Sequence, residues 1–482
     1  MLRRRASYAP GRAAAPILLL SALLAGCGHD WDFFDPQPSG SSSVTGPGGA
    51  GSGGSGSGAA GASGGSGAVG GGGGAPSTGG GGSGGSAPML HCAGTHLLQD
   101  DFNVATLDPH WSVTSTSGGA MVVVVPGDLT MPMPANQAAA AFGQVMSRRR
   151  HDLLDNRLRF EVVETLAASG GSTLTGAGAY LDSNHWLRFQ AIGGKLTFSQ
   201  RVAGTTTELG SVDLDLVSQR YWQLREGAGT VFWETSPDGV NFSVQAQASV
   251  ASLFALDHVR IEMVAQTKGG EAAPGTARFA SVNDGLPTEG GWCPAASLVD
   301  DFDDSVMGVL WARSYVSSGG TKVEADGVVT LTLVPNAVSQ AAYVSGTAYD
   351  LSESSFTVEA VQTTNAAPSV QTYLRAENNA DNGVTIAVMD GNLYFRIEQS
   401  GVLSVVDSLP YNSKAHRWWR ARGSAGAVHW DTSPDGLVWT EQAMTPAATV
   451  DLTAVDVFLV AQAEVVAVMP GLAKLDNFNV AP

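Results

Sequence analysis

Almost nothing in this chain repeats with the period of a helix. No stretch carries apolar residues convincingly at three- and four-residue spacing, so helical architectures are set aside. Basic residues are scarce as well: 26 Lys and Arg stand against 44 Asp and Glu, for a net charge of −18. The deficit is uneven, with 13 basic and 20 acidic residues in 91–293, and 9 and 21 in 294–482. That balance argues against nucleic acid and against docking on anionic lipid. One basic run, Arg148-Arg149-Arg150-His151, precedes an expected strand and reads as a solvated loop or edge. Cysteine is limited to Cys27, Cys92 and Cys293. A nucleophile-elbow sequence for a Ser-His-acid triad is missing. His185, His258, His416 and His429 are scattered and read as surface or strand-edge residues.

The N-terminal part has its own character. Arg3, Arg4, Arg5 and Arg12 precede an apolar core at 17–24, too short to span a bilayer as a mature helix. The core leads into Leu24-Ala25-Gly26-Cys27, which resembles the lipobox of bacterial lipoproteins. The resemblance implies a signal peptide over 1–26 and a mature chain that starts at an acylated, palmitate-bearing Cys27. Several acyl chains on one residue anchor far more firmly than a single myristate. A plain secretory signal with a coincidental Cys is the alternative. Gly28, not Asp, follows the Cys, which in that family leans towards the outer membrane rather than the inner. The protein is then expected in the cell envelope, surface-exposed or periplasmic, with the membrane as a partner through its lipid. Residues 39–88 are almost all Gly, Ser and Ala and carry no charge. Such a composition cannot bury enough apolar surface to offset its ordering entropy. Residues 27–90 therefore read as a disordered tether, with an end-to-end distance of roughly 40 Å.

The rest of the chain is one unit written twice. Asp100-Asp101-Phe102 followed by Trp111 matches Asp300-Asp301-Phe302 followed by Trp311. His151-Asp152-Leu153 matches Tyr349-Asp350-Leu351. Arg220-Tyr221-Trp222 matches Arg417-Trp418-Trp419, and Trp233 through Gly239 matches Trp430 through Gly436. Each copy closes alike, with Ala277-Arg278-Phe279 and Asn283 against Ala473-Lys474-Leu475 and Asn479. Domains are expected over 91–293 and 294–482. Within a copy the period is two: Leu158, Phe160 and Val162 alternate with charged residues. Ser236-Pro237-Asp238-Gly239 has turn chemistry, with Pro at its second position and Gly to take positive φ. Short strands between such turns indicate an all-β sandwich or barrel. Trp222, Trp233, Trp419 and Trp430 then read as core. In an oxidising compartment Cys92 and Cys293, which bracket the first copy, are expected to pair. Two free thiols or a metal pair are the alternatives. The bridge would close a loop of about 200 residues, worth up to ~5 kcal/mol in the chain-entropy model.

These motifs together resemble the concanavalin A-like lectin/glucanase superfamily, in particular its laminin-G-like and beta-xylosidase C-terminal-like modules. The resemblance covers both copies and implies two tandem jelly-roll sandwiches. The superfamily includes sugar binders, glycosidases and adhesion modules, and fold does not choose among them. Its retaining glycosidases carry paired glutamates on one strand, and Glu-x-Asp-x-x-Glu does not occur here. Glu161 and Glu164 share a strand but point to opposite faces. A binding protein without catalysis is therefore expected, recognising a carbohydrate or other extracellular polymer. An adhesive or structural envelope lipoprotein with protein partners is the alternative, and a hydrolase ranks last. Candidate ligand-stacking residues are Tyr180, His185, Trp186 and Tyr373. No cofactor is expected. Asp100, Asp101, Asp300 and Asp301 offer oxygens of the kind calcium takes, but as residues opening a first strand they read rather as caps. Oligomeric state and ligand identity are not legible.

Overall fold

A computed structural model describes residues 92–167, 173–287, 291–447 and 450–482. Cys27 and the stretches expected to form the signal peptide and the tether lie outside the described residues. The described chain is nearly all β, as the alternation requires. Two seven-stranded antiparallel sheets form from strands between Trp111–Ser117 and Thr276–Val282, and two more from strands between Tyr315–Ser317 and Leu472–Asp476. Each pair encloses its own apolar core, giving two jelly-roll sandwiches.

In the first sandwich one sheet runs, in spatial order, Trp111–Ser117, Ala141–Ser147, Arg260–Thr267, Thr173–Asp182, His185–Ile192, Lys195–Val202 and Thr205–Asp213. The facing sheet centres on Arg157–Glu164, flanked by Tyr221–Gly227 and Thr276–Val282. The second sandwich repeats this order strand for strand, with Asp456–Ala467, Val370–Asn379 and Asn382–Met389 at the matching central places. Trp222, Trp233, Trp419 and Trp430 are fully buried in the two cores.

The repeated motifs act as latches. Asp100 accepts hydrogen bonds from the Trp111 indole at 2.7 Å and from the Phe102 amide at 2.8 Å. Asp300 does the same for Trp311 and Phe302 at 2.8 and 2.9 Å. Asn283 accepts from the Arg159 amide and donates to the carbonyls of Thr95 and Leu98, pinning the opening segment to the last strand. Asn479 repeats all three contacts with Thr357, Ala295 and Leu298. In the hairpins, Asp238 and Asp435 accept two backbone amides each, and Gly239 and Gly436 take φ of 71° and 75°.

Cys92 and Cys293 are joined by a disulfide, with Cα atoms 4.8 Å apart. The arginine run departs from its sequence reading. Arg149 is buried and pairs with Asp456 of the second sandwich at 3.0 Å. The Arg150 amide donates to the Gly346 carbonyl at 2.9 Å. His151 is buried too, 5.6 Å from the Trp292 ring. The run is the seam between the sandwiches, not a solvated loop, because a carboxylate from a distant strand meets it there.

Candidate functional site

Strand alternation divides the first long sheet into two faces. Ile261, Met263, Leu187, Phe189 and Ala179 enter the core. Arg260, Glu262, Tyr180, Trp186, Arg188 and Gln190 therefore lie on the opposite, outward face. The register places Glu262, Gly178 and Arg188 on one rung of three adjacent strands. Gly178 is what lets the outer two meet. A Cβ there would sit 1.9 Å from the Leu187 carbonyl oxygen, so no side chain fits between them. Arg188 reaches across and donates to Glu262 through Nε at 2.6 Å and Nη2 at 2.8 Å. Gln144 donates to the same carboxylate and accepts from the Thr114 hydroxyl at 2.7 Å. The Glu262 side chain is 0% exposed. Burial of a carboxylate is tolerated only with such pairing. The Arg188 guanidinium also lies 4.3 Å from the Trp186 ring centroid, a cation–π stack.

The sequence candidates fall at unequal places. Tyr180 faces Arg260 on one side and Trp186 on the other. Its hydroxyl pKa is pushed up to about 12, mainly by burial and then by the Glu262 charge. Trp186 is 2% exposed and its face is taken by Arg188, so it is not presented for stacking on a sugar. His185 bonds Asp182 at 2.9 Å and its ring lies 5.6 Å from Phe254. Tyr373 is half-buried, and its hydroxyl donates to Gln462 at 3.1 Å. The register separates the two tyrosines: Tyr180 pairs with Arg260, whereas Tyr373 pairs with Val460. The bridges His151 to Val259 and Tyr349 to Val455 align Arg260 with Asp456 and Glu262 with Phe458. On that alignment Tyr180 corresponds to Glu377, and Tyr373 to Gly176.

The aspartate candidates are occupied in a different way. Both oxygens of Asp100 and of Asp300 serve the tryptophan latches, and Asp101 and Asp301 are exposed. Burial raises the pKa of Asp100 and of Asp300, partly offset by those hydrogen bonds. Among the described residues no group of three or more His, Cys, Asp or Glu is arranged to hold a metal.

Glycoside hydrolysis calls for two carboxylates about 5–10 Å apart. On the first face the rung through Glu262 next meets an acid at Glu208, four strands on. At a strand spacing of about 4.8 Å that is roughly 19 Å. The second face does bring two carboxylates together, which the sequence did not reveal. Arg375 donates to Glu377 at 2.5 Å and to Glu398 at 2.8 Å. Their rung runs Glu377, Gly383, Glu398, and Gly383 leaves room for the guanidinium above it. That guanidinium bridges the two carboxylates.

No protein-family model matches the chain, and no curated protein matches it. Similar solved structures include a laminarinase from Flavobacterium sp. UMI-01, 10% identical with a TM-score of 0.29, covering 38% of this chain and 97% of that one. A glycoside hydrolase family 16 endo-glucanase from Bacteroides ovatus is 10% identical with a TM-score of 0.29, covering 39% and 98%. A glycosyl hydrolase family protein from Mycobacterium fortuitum is 9% identical with a TM-score of 0.32, covering 38% and 97%. At such TM-scores the likeness carries no implication for what this chain binds or does.

The residues that sequence reasoning missed are Arg188, Glu262, Arg375, Glu377 and Glu398. One signal was available. Glycines inside a strand pattern mark a close approach by another group, and Gly176, Gly178 and Gly383 stand at such places.

Proposed function

We propose that this chain is a cell-envelope lipoprotein that binds, without catalysis, a carbohydrate or another extracellular polymer. Cys27 is its acylated N-terminus, 27–90 its tether, and 91–293 and 294–482 its two binding modules, held at the outer rather than the inner membrane. The observation that carries the binding reading is the outward face of the first long sheet. Gln144, Gln190, Thr197 and Ser199 line it beside the Arg188–Glu262 pair. Amides, hydroxyls and one fixed ion pair are the groups that recognise sugar hydroxyls. Among the described residues the Gln190 amide nitrogen, buried in that face, has no hydrogen-bond partner, so it serves a ligand only where the neighbouring side chains part to admit one.

The non-catalytic reading rests on the carboxylates. Glu262 stands alone, and Glu377 and Glu398 share a guanidinium. The test is retention of the full-length protein on plant, fungal and bacterial polysaccharides. Retention without new reducing ends, weakened by Gln190→Ala, is the expected result. Release of reducing ends that Glu377→Gln abolishes would make the protein a hydrolase. Separately, Cys27→Ser should leave unprocessed precursor and free the protein from the membrane fraction. Wild-type processing and membrane retention of that variant would end the anchor reading.

One observation favours adhesion to a protein partner instead. The edge strand Val402–Pro410 exposes Val402, Leu403 and Val405. An apolar, unpaired edge is a template for another chain, whereas the matching edge Thr205–Asp213 is polar. Self-association that Val405→Lys abolishes, with no polysaccharide retention, would select this second reading.

A further inference from the structure

The seam between the sandwiches gathers arginines in a protein whose net charge is −18. A cleft of about 340 Å³ is lined by Ser112, Arg148, Arg150 and Arg260 from the first sandwich, and by Ala312 and Arg313 from the second. That volume lies within the range of small-ligand sites. Arg149 and Arg313 share a single carboxylate, Asp456, at 3.0 and 2.8 Å. Among the described residues, Arg148, Arg150 and Arg260 have no carboxylate partner. They are held by neutral groups instead. Arg148 Nε donates to the Trp111 carbonyl at 3.0 Å. Arg150 Nη1 donates to the His258 carbonyl at 2.7 Å. Arg260 donates to the Ser147 carbonyl at 2.6 Å and to the Ser112 hydroxyl at 3.2 Å.

Those contacts aim the guanidinium groups without neutralising them. Each guanidinium has five N–H donors, so several on each arginine stay unspent. The nearby acids are committed elsewhere: Glu262 to Arg188, Asp182 to His185. Like charges collected in a partly desolvated cleft are costly unless an anion joins them. The cost is visible at Arg260, whose pKa is pushed down to about 10, first by burial and then by the charges of Arg150 and Arg313. Burial likewise lowers Arg150. A guanidinium fork matches the planar or tetrahedral oxygens of carboxylate, sulfate and phosphate better than any other side chain.

We infer that this inter-sandwich cleft is an oxyanion site, in which Arg148, Arg150, Arg260 and Arg313 together receive a carboxylate, sulfate or phosphate group. The group is either a free anion or a substituent of an acidic polymer. The cleft lies at the end of the outward sheet face that Arg260 also occupies, away from Gln190, Thr197 and Ser199, and the anion reading stands if retention on neutral polysaccharides fails.

The test is calorimetric titration of the full-length protein with sodium sulfate and with galacturonate, ionic strength held constant with sodium chloride. Saturable binding is expected. It should weaken at least tenfold in Arg260→Gln, and also in Arg148→Glu, whose side chain is exposed and not part of either core. Loss in Arg148→Glu with an unchanged melting temperature separates binding from misfolding. Polygalacturonate and dextran sulfate, against neutral dextran, form the second arm. Polymer binding tenfold tighter than its monomer, and lost in Arg148→Glu, assigns the site to a polymer substituent. Binding of the small anions alone assigns it to a free anion. Absence of saturable binding, or equal binding by wild type and both variants, overturns the inference.

Discussion

On the first outward face one guanidinium meets one carboxylate; on the second, one guanidinium meets two. The sandwiches pair their strands in the same order, and their inward positions stay apolar. Their outward positions have exchanged roles. Gly178 corresponds to Arg375, Arg188 to Thr385, and Trp186 to Gly383. Each face keeps an arginine lying over a glycine, but on different strands. Glu262 is replaced by Phe458, which packs with Ala342, Val344, Val460 and Tyr373. The lesson is that a core constrains only the residues that enter it. Outward rungs are free to change charge so long as each buried charge keeps a partner, so the two faces present different groups.

The largest test of that contrast removes one carboxylate from each face. Glu262→Ala would strand Arg188, whose side chain is 14% exposed. Breaking a buried pair this way costs about 3–5 kcal/mol. Glu377→Ala leaves Arg375 still bound to Glu398 and should cost about 1–2 kcal/mol. Denaturant unfolding of both variants measures the difference. Equal losses would show that the second carboxylate gives Arg375 no reserve.

Acid should then divide the two sandwiches further. His151 is buried, and its pKa is pushed down from 6.5 to about 3, chiefly by desolvation and then by the Arg149 charge. The unfolded chain binds this proton near pH 6.5, so between about pH 6.5 and 3 it holds more protons than the folded chain. The stability contributed by neutral His151 is complete above pH 6.5. It is lost as pH falls through that window, by up to about 1.4 kcal/mol per unit. The second sandwich has Tyr349 at the matching bridge. A melting-temperature series from pH 7 to 4 should show destabilisation that His151→Tyr reduces. The same slope in that variant would move the cause to other groups.

A smaller difference separates two buried tryptophans. Trp233 donates its indole N–H to the Arg188 carbonyl at 3.1 Å, whereas the Trp430 indole nitrogen has no hydrogen-bond partner among the described residues. Trp233→Phe should therefore cost about 1 kcal/mol more than Trp430→Phe. Equal costs in paired unfolding curves would mean that the hydrogen bond contributes nothing net.

Much of this architecture follows from local rules that can be read along one dimension. Period-two alternation told inward from outward at Leu158, Phe160 and Val162, and the Pro-Asp-Gly turns marked the hairpins. Internal repetition told that whatever the first copy does with Asp100, Trp111 and Asn283, the second does with Asp300, Trp311 and Asn479. The disulfide followed from two cysteines bracketing one copy. Alternation does not say which rung a residue occupies, because rung and neighbour depend on strand order. Glu262 lies 74 positions from Arg188, and only the insertion of the strand Thr173–Asp182 between theirs sets both around Gly178. Arg149 lies 307 positions from Asp456, so a basic run that looks solvated in sequence became a buried seam. Sequence thus determined the strands, their turns and which side chains enter each core, since those depend on neighbours a few residues away. Tertiary structure alone decided which charges meet, because charge pairing is settled by distance in space and by desolvation, and neither is written in the order of residues along the chain.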